Sequence, residues 1–182
     1  MQKRRIWIIV CAAVLVILAA AVLIWKMPGA SSQTRDMTDE EICQEVLTRY
    51  WTTDYEGRFT AFQPIMENGD AKAIEKAYSA YYDSLQDLIT DECLNAWTLS
   101  REPYKYERSA MENGYRIAPG TMTFTVYQTY DDAVTYSFTM ELSVEDAEGK
   151  TTQTTVNGQI QIMISQRRVS KITYDKFELP IG

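Results

Sequence analysis

The sequence predicts an α+β fold: an N-terminal transmembrane helix, then helices packed on a curved antiparallel β-meander of four or five strands. Three observations predict it. Residues 6–25 are apolar throughout, apolar residues recur at helical spacing from Thr38 to Ile89, and from Tyr115 onward the period shortens to two between short turns. Helices followed by strands, rather than alternating with them, belong on one face of an antiparallel sheet.

Ile6 to Trp25 is a run of 20 residues without charge, glycine or proline. As a helix it spans about 30 Å, the thickness of a bilayer's hydrocarbon core. Trp7 and Trp25 stand at its ends, where indoles favour the membrane interface, and Lys3, Arg4 and Arg5 hold the preceding stub in the cytoplasm. A cleaved signal peptide is the competing reading, but its apolar core is usually about 7–15 residues long. Pro28-Gly29-Ala30 is a poor cleavage site, and Cys11 lies inside the run behind Val10, unlike a lipoprotein cysteine. The expected organisation is a basic stub and anchor over 1–28, a polar linker over 29–37, and an extracytoplasmic domain over 38–182. The protein is thus expected in the cell membrane as a single-pass chain.

The exported elements follow in order. Thr38 and Glu41 have capping-box spacing, and Ile42, Cys43, Val46, Leu47 and Tyr50 then make one apolar helical face. A second, shorter helical piece, "RFTAFQPI", ends near Pro64. Asp70 caps a long helix whose stripe runs through Ile74, Ala77, Tyr78, Tyr81, Leu85, Leu88 and Ile89. Thr90 caps "DECLNAW", a further helix covers about 102–111, and Glu112-Asn113-Gly114 turns the chain. The strands are "TMTFTVYQTY", "AVTYSFTMELSV", "TTQTTVNGQIQIMIS" and "VSKITYDKF", with "YRIA" as a possible fifth ahead of them. Alternation means one covered face and one wet face. Gly158, inside a strand pattern, marks a bulge or bend.

Composition excludes whole classes of chemistry. All 25 acidic residues lie beyond the anchor against 14 of the 18 basic ones, a net −11 for the exported part, which excludes nucleic acid as a partner. There is no histidine, so the commonest general base and metal ligand is missing. The exported cysteines, Cys43 and Cys93, have no zinc spacing, and "VEDAEG" lacks the acidic pattern of a calcium loop. No metal and no cofactor is expected. Cys43 and Cys93 leave two readings open. One is a disulfide closing a loop of about 50 residues, which would stabilise by about 4 kcal/mol. The other is a pair of separate buried thiols.

The element order over residues 38–178 resembles the nuclear transport factor 2-like superfamily. The resemblance rests on the capped helix at Thr38, the broken segment "DYEGRF", the tyrosine-rich helix and the meander with Gly158 in mid-strand. It implies a cone, a curved sheet wrapped round amino-terminal helices. "LITDECLNAW" and "EPYKYE" are similar to membrane-anchored bacterial cell-surface members. Other members are subunits of conjugation machinery, and enzymatic ones place an ionisable residue inside the cone.

In this chain the inward strand positions expected to line such a hollow include Phe124, Tyr136, Phe138 and Met140, with no charged residue among them. Tyr136 and Tyr130 are the inward hydroxyls, and Asp83 or Asp87 would face inward only with a different helix phase. No catalytic residue is expected. Adjacent aromatic residues on a helix point about 100° apart, so Trp51, Tyr82, Tyr104 and Tyr106 are expected to leave the apolar stripe as a surface interaction patch. These observations favour a membrane-tethered, non-catalytic interaction domain whose partner is another cell-envelope protein or a second copy. The alternatives are an assembly subunit of a conjugation or secretion channel, and a small-ligand binder or lyase using the cone.

Overall fold

A computed structural model of the chain describes residues 37–53, 64–65, 67–70, 72–73, 76, 82–177 and 179. The predicted anchor over 6–25 and most of the second and long helices lie outside the described residues. The chain divides into two units, Met1–Ser32 and Gln33–Gly182, and every described residue belongs to the second. Among the described residues no helix is long and apolar enough to cross a membrane.

Helix α1 spans Asp39–Trp51 and starts where the sequence dictates. Thr38 N–H donates to Glu41 Oε2 at 2.6 Å, and Glu41 N–H donates back to Thr38 Oγ1 at 3.2 Å. The Thr38 backbone and side-chain hydrogen bonds hold the Glu41 carboxyl below its ordinary pKa. Near the end of the predicted long helix, Asp83–Leu85 form a 3₁₀ turn, with Leu85, Leu88 and Ile89 buried as the stripe predicts. Thr90 caps α2, Asp91–Ser100, by accepting from Cys93 N–H at 3.3 Å. Helix α3, Tyr104–Asn113, ends at Gly114, whose φ of +71° is the left-handed conformation that a glycine adopts without strain.

Four antiparallel strands follow in spatial order β1-β2-β3-β4: Arg116–Thr129, Ala133–Glu145, Thr151–Met163 and Arg168–Tyr174. The "YRIA" segment is not a fifth strand. Its residues 116–118 run continuously into β1, across an extra residue inserted between Pro119 and Met122. Before that bulge the residues facing the helices are odd-numbered, Ile117 and Pro119; after it they are even-numbered, Met122, Phe124 and Val126. Two opposite phases in one strand imitate two strands.

The core lies between α1 and the covered face of the sheet. Ile42, Cys43, Val46, Leu47, Tyr50 and Trp51 meet Phe138, Met140, Leu142, Val156, Ile160 and Ile162 in one cluster. Each such burial contributes roughly 1.5–3 kcal/mol against the entropy of ordering. Gly158 is not a bulge, because β2 and β3 pair without a register break from Ala133 to Glu145. It stands between Phe138 and Tyr174, and a Cβ there would fall 2.2 Å from Thr173 O and 2.8 Å from the Phe138 ring. The missing side chain lets the Phe138 ring lie across β3 and meet Tyr174 edge-on at 5.9 Å.

Candidate functional site

The four candidate rings form no surface patch. Trp51, Tyr82 and Tyr104 are buried and Tyr106 is half-buried against the core. The cause is that α1 is covered on more than one side, so a ring leaving its apolar stripe enters a second seam. There Trp51 lies 4.7 Å from Tyr106, 5.5 Å from Tyr174 and 5.5 Å from Phe177, while Tyr50 lies 5.0 Å from Trp97. Two polar tips are satisfied at the link between α2 and α3, where Tyr50 Oη donates to a Glu102 carboxylate oxygen and Tyr82 Oη to the Glu102 carbonyl, while Trp51 Nε1 and Tyr174 Oη are buried with no hydrogen-bond partner among the described residues. The other Glu102 carboxylate oxygen pairs with Lys105, whose Nζ sits 4.9 Å above the Tyr106 ring. Burial pushes the Tyr174 phenol well above its ordinary value. These aromatic groups hold the fold together.

Among the described residues, the strand positions of the covered face carry no charged side chain. Tyr136 Oη donates to Asp39 Oδ2 at 3.3 Å, and burial, then the Asp39 charge, push its pKa up to about 12, so it stays protonated. Asp39 also pairs with Arg167 at 3.5 Å, and Arg167 donates to the Met37 carbonyl, fastening the start of α1 to the β3–β4 turn. Met140 and Phe138 are packed in the core and Phe124 packs partly against it. Asp83 and Asp87 are exposed. Among the described residues, the buried acid the sequence did not reveal is Glu107 on α3. Cys43 and Cys93 are free buried thiols, with burial raising both, Cys93 to about 12. Among the described residues no cluster of acidic or cysteine side chains has metal-binding geometry.

The opposite, wet face carries an open groove of about 120 Å³ lined by Tyr127, Tyr130, Thr135, Gln159, Gln161, Lys171 and Thr173. Pairing places these residues together: Thr135 faces Gln161, Gln161 faces Lys171, and Gln159 faces Thr173. Gln161 Nε2 donates to Thr135 Oγ1 at 3.3 Å, and Ser170 Oγ donates to Gln161 Oε1 at 3.0 Å, which fixes the central amide.

Tyr130 was expected to face the helices with Phe124 and Val126. A second inserted residue, Tyr127, between the pairs Val126–Tyr136 and Gln128–Thr135 resets the alternation and turns Tyr130 outward. Tyr127 is 60% exposed and Tyr130 45%, so two phenol rings stand at the groove while its floor is amide and hydroxyl. No carboxylate lines it, although the chain has 25 acidic residues against 18 basic ones. The groove therefore suits a neutral or anionic polar partner, held by stacking, amide hydrogen bonds and one ammonium.

No protein-family model matches the chain, and no curated protein does. Among solved structures it is similar to the transfer protein TraH of the Gram-positive conjugative plasmid pIP501, with 12% identity and a TM-score of 0.48 over 81% of this chain and 95% of that one. A periplasmic fragment of TraM gives 8% and 0.41 over 81% of this chain and 98% of that one. The intermembrane-space region of the chloroplast protein ARC6 gives 15% and 0.35 over 58% and 95%. These are distant likenesses.

Proposed function

We propose that the chain is a single-pass, membrane-tethered interaction domain of the bacterial cell envelope, non-catalytic, which holds another envelope protein in the groove of its wet face. The observation that carries the reading is the pair of exposed tyrosines, Tyr127 and Tyr130, placed by a bulge beside a carboxylate-free floor. Bulges re-aim side chains at functional positions, and tyrosine is enriched where proteins meet. The tether is supported by the 20-residue apolar run and its flanking tryptophans, and it would raise the effective concentration of the domain at the membrane. The cone of the nuclear transport factor 2-like type is supported by the element order and by Gly158 under the Phe138 ring. Against catalysis stand the lack of histidine and the high pKa of Tyr136.

Photo-cross-linking in intact cells tests this reading. A benzophenone amino acid in place of Tyr127 or Tyr130 is expected to capture one discrete envelope protein, while the same probe at Leu99, exposed on α2, captures none. Equal capture from Leu99, or none from either tyrosine, contradicts it.

A further inference from the structure

Each edge of the sheet is pinned by hydrogen bonds near the start of its strand. At β4, Val169 N–H donates to Leu88 O and Thr90 N–H donates to Val169 O, both at 2.8 Å, so the segment before α2 pins the start of that edge, which also carries Arg168 and Lys171. At β1, Ile117 exchanges hydrogen bonds with Thr53 at its start. Among the described residues no hydrogen bond reaches the outer edge of β1 beyond that point. Across the hairpin Tyr130 N–H donates to Ala133 O. Ladder alternation, carried from both anchors through the two bulges, leaves the N–H and C=O groups of Met122, Phe124 and Val126 pointing out of the sheet.

An open edge is normally guarded by charge, proline or bulges. Here Pro119 and the two bulges guard the ends, but Met122 to Val126 between them pairs regularly with β2. No charged residue occurs from Ile117 to Tyr130, in a chain with 25 acidic residues against 18 basic ones. Val126 is 61% exposed although its register faces the helix side.

We infer that the β1 edge pairs antiparallel with the β1 edge of a second copy, about a two-fold axis through Phe124, to make one continuous sheet. Two strongly acidic surfaces repel, and this neutral strand is where two copies can meet without like charges directly opposed. A two-fold axis at Phe124 places Met122 against Val126 of the partner subunit, covering that exposed valine. It also sets Thr123 against Thr125 of the partner subunit on the wet face. All apolar pairs then lie on one face and all threonine pairs on the other, as sheet alternation demands. The inference concerns the sheet edge and does not depend on what the groove binds.

The test uses the full chain in detergent. Light scattering is expected to give the mass of two chains for the natural protein and of one chain for Val126→Lys, which places a charge in the seam without removing core volume. In a separate arm, a Thr123→Cys chain mixed with a Thr125→Cys chain under mild oxidant is expected to form a disulfide-linked dimer far faster than either chain alone. Both threonines are exposed, so the fold is not at stake. A natural protein that stays a single chain at all concentrations overturns the inference. So does a dimer that Val126→Lys leaves intact, or one in which Leu99→Cys cross-links as fast as the threonine pair.

Discussion

Tyrosine has opposite fates on the two faces of the sheet. On the covered side Tyr50, Tyr82 and Tyr136 lie inside, and each hydroxyl meets a polar group at the far end of its ring: a Glu102 carboxylate oxygen, the Glu102 carbonyl and the Asp39 carboxylate. On the wet side Tyr127 and Tyr130 project beside a groove of amides and hydroxyls. The difference teaches that the burial of these three tyrosines goes with a partner waiting for each hydroxyl. A ring's own position in a helical stripe does not decide burial.

Substitutions should separate the faces by magnitude. Phe138→Ala removes a buried ring from the centre of the cluster and is expected to cost about 3–5 kcal/mol, read as a lowered urea midpoint. Gly158→Ala drives a methyl into the Thr173 carbonyl and the Phe138 ring. Its expected loss is about 1–3 kcal/mol, as for overpacking elsewhere. An unchanged midpoint for Gly158→Ala would show that Phe138 does not lie across that glycine.

How much of this was legible follows from which signals are local. Helix α1 was, because a capping box and an apolar stripe are written within one element. So were the cap at Thr90 and the pairing of β2 with β3, whose alternation is unbroken. The inserted residues in β1 were not, since period-two counting cannot distinguish a bulge from a strand end or detect a change of phase. That one limit produced both the extra "YRIA" strand and the wrong face for Tyr130. The misplaced patch has a different origin. Adjacent rings do point apart, but Trp51 enters a second buried seam beside Tyr106 and Phe177, and only tertiary packing creates that seam.

The alkaline limb of stability is the next-largest contrast. Folding raises the pKa of Cys43, Cys93, Tyr136 and Tyr174, all on the covered side. A raised acid contributes stability that is complete below its unfolded pKa, about 8.5 for cysteine and 10 for tyrosine. That stability is lost as pH climbs toward the folded values, about 12 for Cys93 and Tyr136. Urea midpoints should hold level up to the thiol range and then fall, and Tyr136→Phe should make the fall shallower above the phenol range. A fall of the same steepness in that variant would remove Tyr136 from the account.

The smallest stability effects belong to the wet face. Tyr127→Ala and Tyr130→Ala are each expected to stay within about 0.5 kcal/mol of the natural protein, as surface changes do. Circular dichroism melts check that. The same two changes should abolish capture of the proposed partner by a cross-linker placed at Thr173, which lines the groove.

The most direct test sets two double variants side by side in one urea series. Trp51→Ala with Tyr82→Ala should leave no cooperative unfolding transition, since both rings are fully enclosed, whereas Tyr127→Ala with Tyr130→Ala should superimpose on the natural curve. If the helical pair melts like the natural protein, or the strand pair collapses it, the division between a structural face and a recognition face is wrong.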